Sequence, residues 1–386
     1  MLSVFGRWLD LYARVPHKVL SYSSPYEAVK ELIHPSQNVT VGELLEQYLA
    51  WAYKSIPPSE QKRNQDIIVR TKRVKRFLQE YHDWPIGDFG PDELRNVRQA
   101  MQDYRYRRGK TEKSYTRRGI NDNLKHIHTI WAWGVGREFV THSQERRLSE
   151  VKPLRIGEAA DSARRPKVTS DEFNRVVEQV NRVVADMLRL IWYTAMRPGE
   201  VCRMRPFDIL RDDPQCWIYV PGRDESPVGA HKTTRFGRIR VITLTSRAQR
   251  VLKRRITDYA SKEYIFRPAE AIKEMYEQRA ARRRTPLAWG NRPGINRKEH
   301  PMIRPGERYD ANALRTACKR GCVRAGVEPF KPYDLRRSVA TGTRSVLGKE
   351  AAKVLLGHAK TDTTDIYLLE EVQEAVKVAK LLDAKT

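Results

Sequence analysis

Residues 194 to 205 read TAMRPGEVCRMR. They follow a stretch in which Val183, Met187, Leu190 and Ile191 recur at steps of four, three and one, the spacing of a buried helix. Arg197-Pro198-Gly199 stops that helix, because proline lacks the N–H that the ladder needs and glycine favours a turn. Glu200 stands three residues after Arg197. Beyond the turn come two β-like runs, CWIYV at 216 to 220 and RIRVITL at 238 to 244, separated by a stretch holding Gly222, Pro227, Gly229 and Gly237. This pattern predicts a small antiparallel sheet. Residues 268 to 308 are dense in Arg, Pro and Gly and read as an inserted basic loop that can begin as a helix. Helical patterning resumes at Ala311, with Leu314, Ala317 and Val323, and again from Asp334 to Leu347.

On the N-terminal side, Thr169 and Glu172 have capping-box spacing and open this second domain, 168–386. Residues 143–167, SQERRLSEVKPLRIGEAADSARRPK, lose periodicity and read as an interdomain linker. Before it, Thr40 and Glu43 form a second capping-box pattern ahead of Val41, Leu44, Leu45, Tyr48 and Leu49. Helical stretches follow at 61 to 82, from Pro91 through Met101, and at 116 to 137 with Ile120, Leu124, Ile127 and Trp131 in register. Residues 38–142 are thus expected to form an all-helical domain with basic faces.

The chain has 386 residues with 73 Lys and Arg against 47 Asp and Glu, a formal charge of +26 that implies a polyanionic partner. No stretch approaches the roughly 20 apolar residues of a membrane span, and the N-terminus lacks the basic-then-apolar order of a secretory signal. Four cysteines, Cys202, Cys216, Cys318 and Cys322, fit a reducing compartment, so a cytoplasmic, nucleoid-associated location is expected. Cys318 and Cys322 have no accompanying Cys or His pair at finger spacing and read as ordinary half-buried thiols. No metal and no cofactor is expected.

Three distant segments, TAMRPGEVCRMR at 194 to 205, YDLRRSVAT at 333 to 341 and LLGHAKTDTTDIY at 355 to 367, each resemble a motif of the tyrosine recombinases, the phage-type integrases. Arg197 falls on that family's first catalytic arginine and Arg336 on the arginine of its His-x-x-Arg box. His358 follows Leu-Gly as in its third box, and Tyr367 stands at the tyrosine nine residues on. Lys232, in HKTTRFGRIRVITL, resembles the family's hairpin lysine. At the first position of the His-x-x-Arg box this chain has Tyr333, which offers one phenolic hydrogen bond and no imidazolium.

The resemblance implies a mainly α fold with a small antiparallel β-sheet, in which an all-helical core-binding domain precedes a mixed α+β catalytic domain. It also implies an enzyme that cleaves and rejoins DNA strands. A tyrosine becomes joined to a 3′-phosphate, and a partner strand's 5′-hydroxyl later displaces it. Planar guanidinium groups at 197 and 336 suit the charge that develops on the non-bridging phosphate oxygens. A phenol with an ordinary pKa near 10 needs nearby positive charge to attack at neutral pH. Lys232 is the candidate acid for the leaving 5′-oxygen.

Double-stranded DNA is the expected partner, gripped by Arg70, Lys72, Arg73, Arg117, Arg118 and Lys125 in the first domain. No membrane and no small-molecule substrate is expected. The tail, with Val372, Val376, Ala379 and Leu382 on one stripe of a helix at about 370–384, either packs on its own domain or docks on a neighbour in a homotetramer. Residues 1–37 can be the remnant of an arm-binding module. A catalytically weakened DNA-binding relative and a type IB topoisomerase-like relaxing enzyme remain alternatives.

Overall fold

The computed structural model describes residues 39–55, 61–109, 111–163, 167–223, 240–289, 304–356, 376–378 and 381. The chain divides into two compact units, Met1–Arg164 and Arg165–Thr386.

In the first unit, helix α1 (Val41–Lys54) opens on the expected capping box: the Glu43 N–H donates to Thr40 Oγ1 at 3.1 Å, and the Thr40 N–H to Glu43 Oε2 at 2.8 Å. Helices α2 (Gln61–Phe77), α3 (Pro91–Asp103) and α4 (Arg117–Val135) complete the bundle. Leu44, Leu45, Val74, Leu78, Leu94, Met101, Ile127 and Trp131 fill its interior. Gly134 lets α4 approach α1, since a Cβ there would stand 2.7 Å from Val140 and 2.9 Å from Leu44.

Two features of this unit depart from the sequence reading. A β-hairpin, β1 (Arg105–Arg108) paired with β2 (Thr111–Ser114), separates α3 from α4. The stretch read as a linker is largely part of the domain. Its start forms helix α5 (His142–Leu148) on a Thr141/Gln144 capping box, and Leu148, Val151 and Leu154 are buried in the first core. The Asn121 amide donates to the Leu154 carbonyl and accepts its N–H, while Arg117 Nε bonds both oxygens of Asp161 at 2.9 and 3.0 Å. Three apolar residues at steps of three, surrounded by charge, bury enough surface to dock the segment but make no broad helical stripe.

In the second unit, the Thr169/Glu172 capping box forms as expected and starts α6 (Ser170–Glu178). The central element is α7 (Arg182–Thr194), whose Val184, Met187, Leu188, Leu190 and Ile191 are fully buried. Around it pack α6, α8 (Pro198–Cys202), α9 (Ser246–Lys253), α10 (Pro268–Ala281), α11 (Ala311–Ala325) and α12 (Pro332–Leu356), which is broken at Gly348 with φ 87°.

The sheet is antiparallel with order β3 (Ile209–Leu210), β4 (Trp217–Tyr219), β5 (Ile242–Leu244). Ile209 stands opposite Tyr219, and Tyr219 opposite Ile242. The basic stretch that was expected to be able to begin as a helix does so over α10, which docks on α7. Ala271 is buried there, Glu274 accepts the Arg182 N–H at 3.1 Å, and Glu270 accepts from Arg255. One small residue and two carboxylates hold it, so no apolar stripe announces it. Residues 290–303 of that stretch and residues 1–38 lie outside the described residues. In the tail, residues 376–378 and 381 are helical and Val378 is buried.

Candidate active site

The site starts from the way α7 ends. Ala195 closes the helix in the left-handed region, φ 52° and ψ 22°, an uncommon conformation for a residue with a Cβ. The chain then reverses, and Pro198 takes the first position of α8, where its missing N–H costs nothing. Arg197 is the cap residue between them. Glu200, one turn on, accepts the Arg197 backbone N–H on Oε2 at 2.6 Å and its guanidinium Nη1 on Oε1 at 2.8 Å. One carboxylate thereby fixes both ends of the arginine, leaving its side chain about 31% exposed.

Two further guanidinium groups meet this turn. Arg240, 5% exposed just ahead of β5, donates Nε to Glu200 Oε1 at 3.3 Å, the same oxygen that Arg197 uses. Its buried Nη2 makes no hydrogen bond. Arg336, 3% exposed on α12, donates Nη1 to the Ala195 carbonyl and Nη2 to the Leu356 carbonyl, the latter at 2.9 Å. From the sheet side, the Tyr219 hydroxyl donates to the Glu200 carbonyl at 2.9 Å.

The electrostatics confirm that these groups share one field. Burial pushes the Glu200 carboxyl up, yet Arg240 and then Arg197, by charge and hydrogen bonds, hold it below the ordinary carboxylate value. Burial, Arg240 and Arg197 together lower Arg336 to about 10, against opposing pulls from Glu200 and Tyr333. Arg240 is lowered chiefly by burial. Two guanidinium groups, Arg197 and Arg240, thus bond one carboxylate, and Arg336 feels its charge while bonding backbone carbonyls. The excess positive charge makes the turn an anion site.

Of the expected catalytic residues, the fold brings Arg197 and Arg336 together. Tyr333 lies three residues before Arg336 on α12 and is 57% exposed. Lys232, His358 and Tyr367 lie outside the described residues. Leu356, whose carbonyl Arg336 holds, directly precedes Gly357-His358 in the chain. Arg240 was not singled out from sequence, though a signal existed: it shares strand parity with the buried Ile242 and Leu244, a position where a charge is out of place.

Of the residues expected to grip DNA, Arg70, Lys72, Arg118 and Lys125 are exposed, and the half-exposed Arg73 lies 6.0 Å from the centre of the Tyr115 ring. Arg117 is committed to Asp161. All four cysteines are buried, so Cys318 and Cys322 are more enclosed than the half-buried thiols expected. Cys318 Sγ contacts the Phe330 carbonyl. Among the described residues no group of His, Cys, Asp or Glu could hold a metal ion, and no helix is long and apolar enough to cross a membrane.

Comparison with curated protein sequences gives no match. Among solved structures, the chain is similar to a lambda integrase dimer bound to a COC′ core site, with 14% identity over 95% of this chain and 86% of that one and a TM-score of 0.55. It is similar also to a lambda integrase tetramer bound to a Holliday junction, with 13% identity over 92% and 88% and a TM-score of 0.55. At such identities the likeness concerns the fold. Residues 166–374, more than half of the chain, match the phage integrase family. With its helical first unit, its small antiparallel sheet and this match, the chain belongs to the phage integrase family of tyrosine recombinases.

Proposed function

We propose that this chain is a site-specific DNA recombinase that cuts and rejoins strands through a 3′-phosphotyrosine at Tyr367. The observation that carries the reading is the gathering of three guanidinium groups at one turn: Arg197 and Arg240 on the Glu200 carboxylate, and Arg336 on the Ala195 carbonyl beside it. A phosphodiester is the anion whose charge and planar pairs of oxygens match the donors left over.

In this reading Arg197 and Arg336 donate to the non-bridging oxygens, where negative charge grows in the transition state. The Tyr367 oxygen attacks phosphorus, the bond to the 5′-oxygen breaks, and Lys232 gives that oxygen its proton. His358 donates a further hydrogen bond or takes the tyrosine proton. A 5′-hydroxyl from a partner strand reverses these steps and reseals the DNA, so neither ATP nor a metal is needed.

The first unit is proposed as the core-binding domain, gripping duplex DNA through its exposed Arg70, Lys72, Arg118 and Lys125. A homotetramer on paired sites is proposed from the likeness to a lambda integrase tetramer bound to a Holliday junction. Tyr333, at the family's histidine position, contributes at most a phenolic hydrogen bond.

The test uses nicked duplexes tiled across the DNA that flanks the gene. The full chain is expected to form a detergent-resistant complex with one of them, and Tyr367→Phe none. Absence of any complex, or its survival in the variant, contradicts the proposal. Relaxation of a supercoiled plasmid without joining of two sites would point to a topoisomerase-like enzyme instead.

A further inference from the structure

Arg240 is 5% exposed, carries a charge, and has one guanidinium nitrogen, Nη2, that is buried without a hydrogen-bond partner. A folded chain rarely keeps such a group without a use, because an unmet buried donor forfeits the hydrogen bonds it had in water. Its contact with Glu200 is not that of a pair built only to hold the fold. Arg205 and Asp208 in the same unit show what that looks like: two prongs, Nε and Nη2, each 2.9 Å from one oxygen of the same carboxylate. Arg240 instead makes one contact at 3.3 Å, to an oxygen already bonded by Arg197 at 2.8 Å. Glu200 therefore stands between two guanidinium groups, and Oε1 is shared.

We infer that Arg240 is a positioning residue: it pins the Glu200 carboxylate from the buried side, so that Glu200 holds Arg197 at the angle a phosphate needs without neutralising it. This rests on the reading of the site as a DNA-cleaving centre. Without Arg240, Glu200 would be free to pair fully with Arg197, and it would lose the cation that does most to keep it ionised. The charged and titratable groups that act on Glu200 are Arg197 on its own turn, Arg240 beside β5, Arg336 on α12 and Tyr219 on β4.

The test measures the single-turnover rate of covalent complex formation against pH, with melting temperature and duplex affinity measured alongside. Arg240→Gln is expected to slow the step about 100-fold, the scale of a misplaced reacting group. Duplex binding should change little, and the acid limb of the profile should move to higher pH. Arg240→Lys, which keeps the charge and one donor, should restore the limb and part of the rate. In a Glu200→Gln background, Arg240→Gln should add nothing further, because the route through Glu200 is already cut. Arg205→Lys serves as the structural control and should lower melting temperature without moving the limb.

Equal slowing by Arg240→Gln in both backgrounds, an unmoved limb, or a wild-type rate overturns the inference and leaves the reading of the site intact. If Arg240→Gln does not fold, Arg240→Lys still decides by the position of the limb, which Glu200→Gln should abolish. Failure of the unaltered chain to form any Tyr367-dependent complex would instead overturn the reading itself.

Discussion

Arg336 donates Nη2 to the carbonyl oxygen of Leu356 at 2.9 Å and so ties the start of α12 to the far end of the same element, beyond the break at Gly348. Its other nitrogen reaches the Ala195 carbonyl in the turn that carries Arg197. One fork-shaped side chain thus joins two of the three segments named from sequence to the threshold of the third. A lysine has the charge but not the fork. Arg336→Lys is expected to lower covalent complex formation by about 100- to 1000-fold, the scale of losing an oriented donor, and to lower the melting temperature of the second unit. Unchanged melting would show that the two carbonyl bonds do not hold the turn.

Glu200 gives the second unit a defined response to acid. Its folded pKa lies below its ordinary value of 4.5, so its contribution to stability is complete above that value and is lost as pH falls through the folded one. Glu200→Gln should flatten the acid branch of the melting curve. At neutral pH it should cost about 3–5 kcal/mol, since Arg240 would be left buried and unpaired. Calorimetry from about pH 3 to 7 measures both; an acid branch as steep as that of the unaltered chain would contradict the assignment.

His126 does the same for the first unit at a higher pH. Its Nε2 lies 2.8 Å from the Thr71 hydroxyl, and burial, reinforced by Arg70, lowers its pKa from 6.5 to about 4. The unfolded chain takes up a proton that the folded one refuses, so stability is lost as pH falls below 6.5 and the loss levels off near 4. His126→Gln should remove that slope. Equal slopes in the two proteins, followed by tryptophan fluorescence on acid unfolding, would refute it.

The β1–β2 hairpin offers a test of DNA contact. Phe77 packs edge-on against Tyr104 and Tyr115 at 5.3 and 5.9 Å, anchoring one face, while Arg105 and Arg107 are exposed on the other. A two-stranded ribbon fits a DNA groove. Replacing both arginines with glutamine should weaken duplex binding and make the plot of log affinity against log salt shallower by about 1.8, roughly 0.9 for each phosphate contact. An unchanged slope would place the hairpin away from DNA.

Much of this was legible in the sequence where one element suffices to read it. The two capping boxes at Thr40 and Thr169 and the apolar spacing of α7 depend on neighbours within a few residues, and they formed as read. The hairpin carried its own signal, the alternation of Tyr104, Arg105, Tyr106 and Arg107, but Tyr104 packs on Phe77 of another helix, which spacing alone does not reveal. The docking of residues 143–163 is not legible in their own spacing because it relies on Asn121 and Arg117 on α4. Arg197 and Arg336 could be named from their motifs. Arg240 shows only as a charge at a buried strand position; its role comes from sharing an oxygen with a residue 43 positions away, which its own stretch does not reveal.

The most direct measurement is to digest the covalent complex with protease and nuclease and locate the attached nucleotide by mass spectrometry. The account predicts a 3′-linked phosphate on the tyrosine of the peptide containing Tyr367, and no adduct from Tyr367→Phe. An adduct on a serine, a histidine or another tyrosine would contradict it.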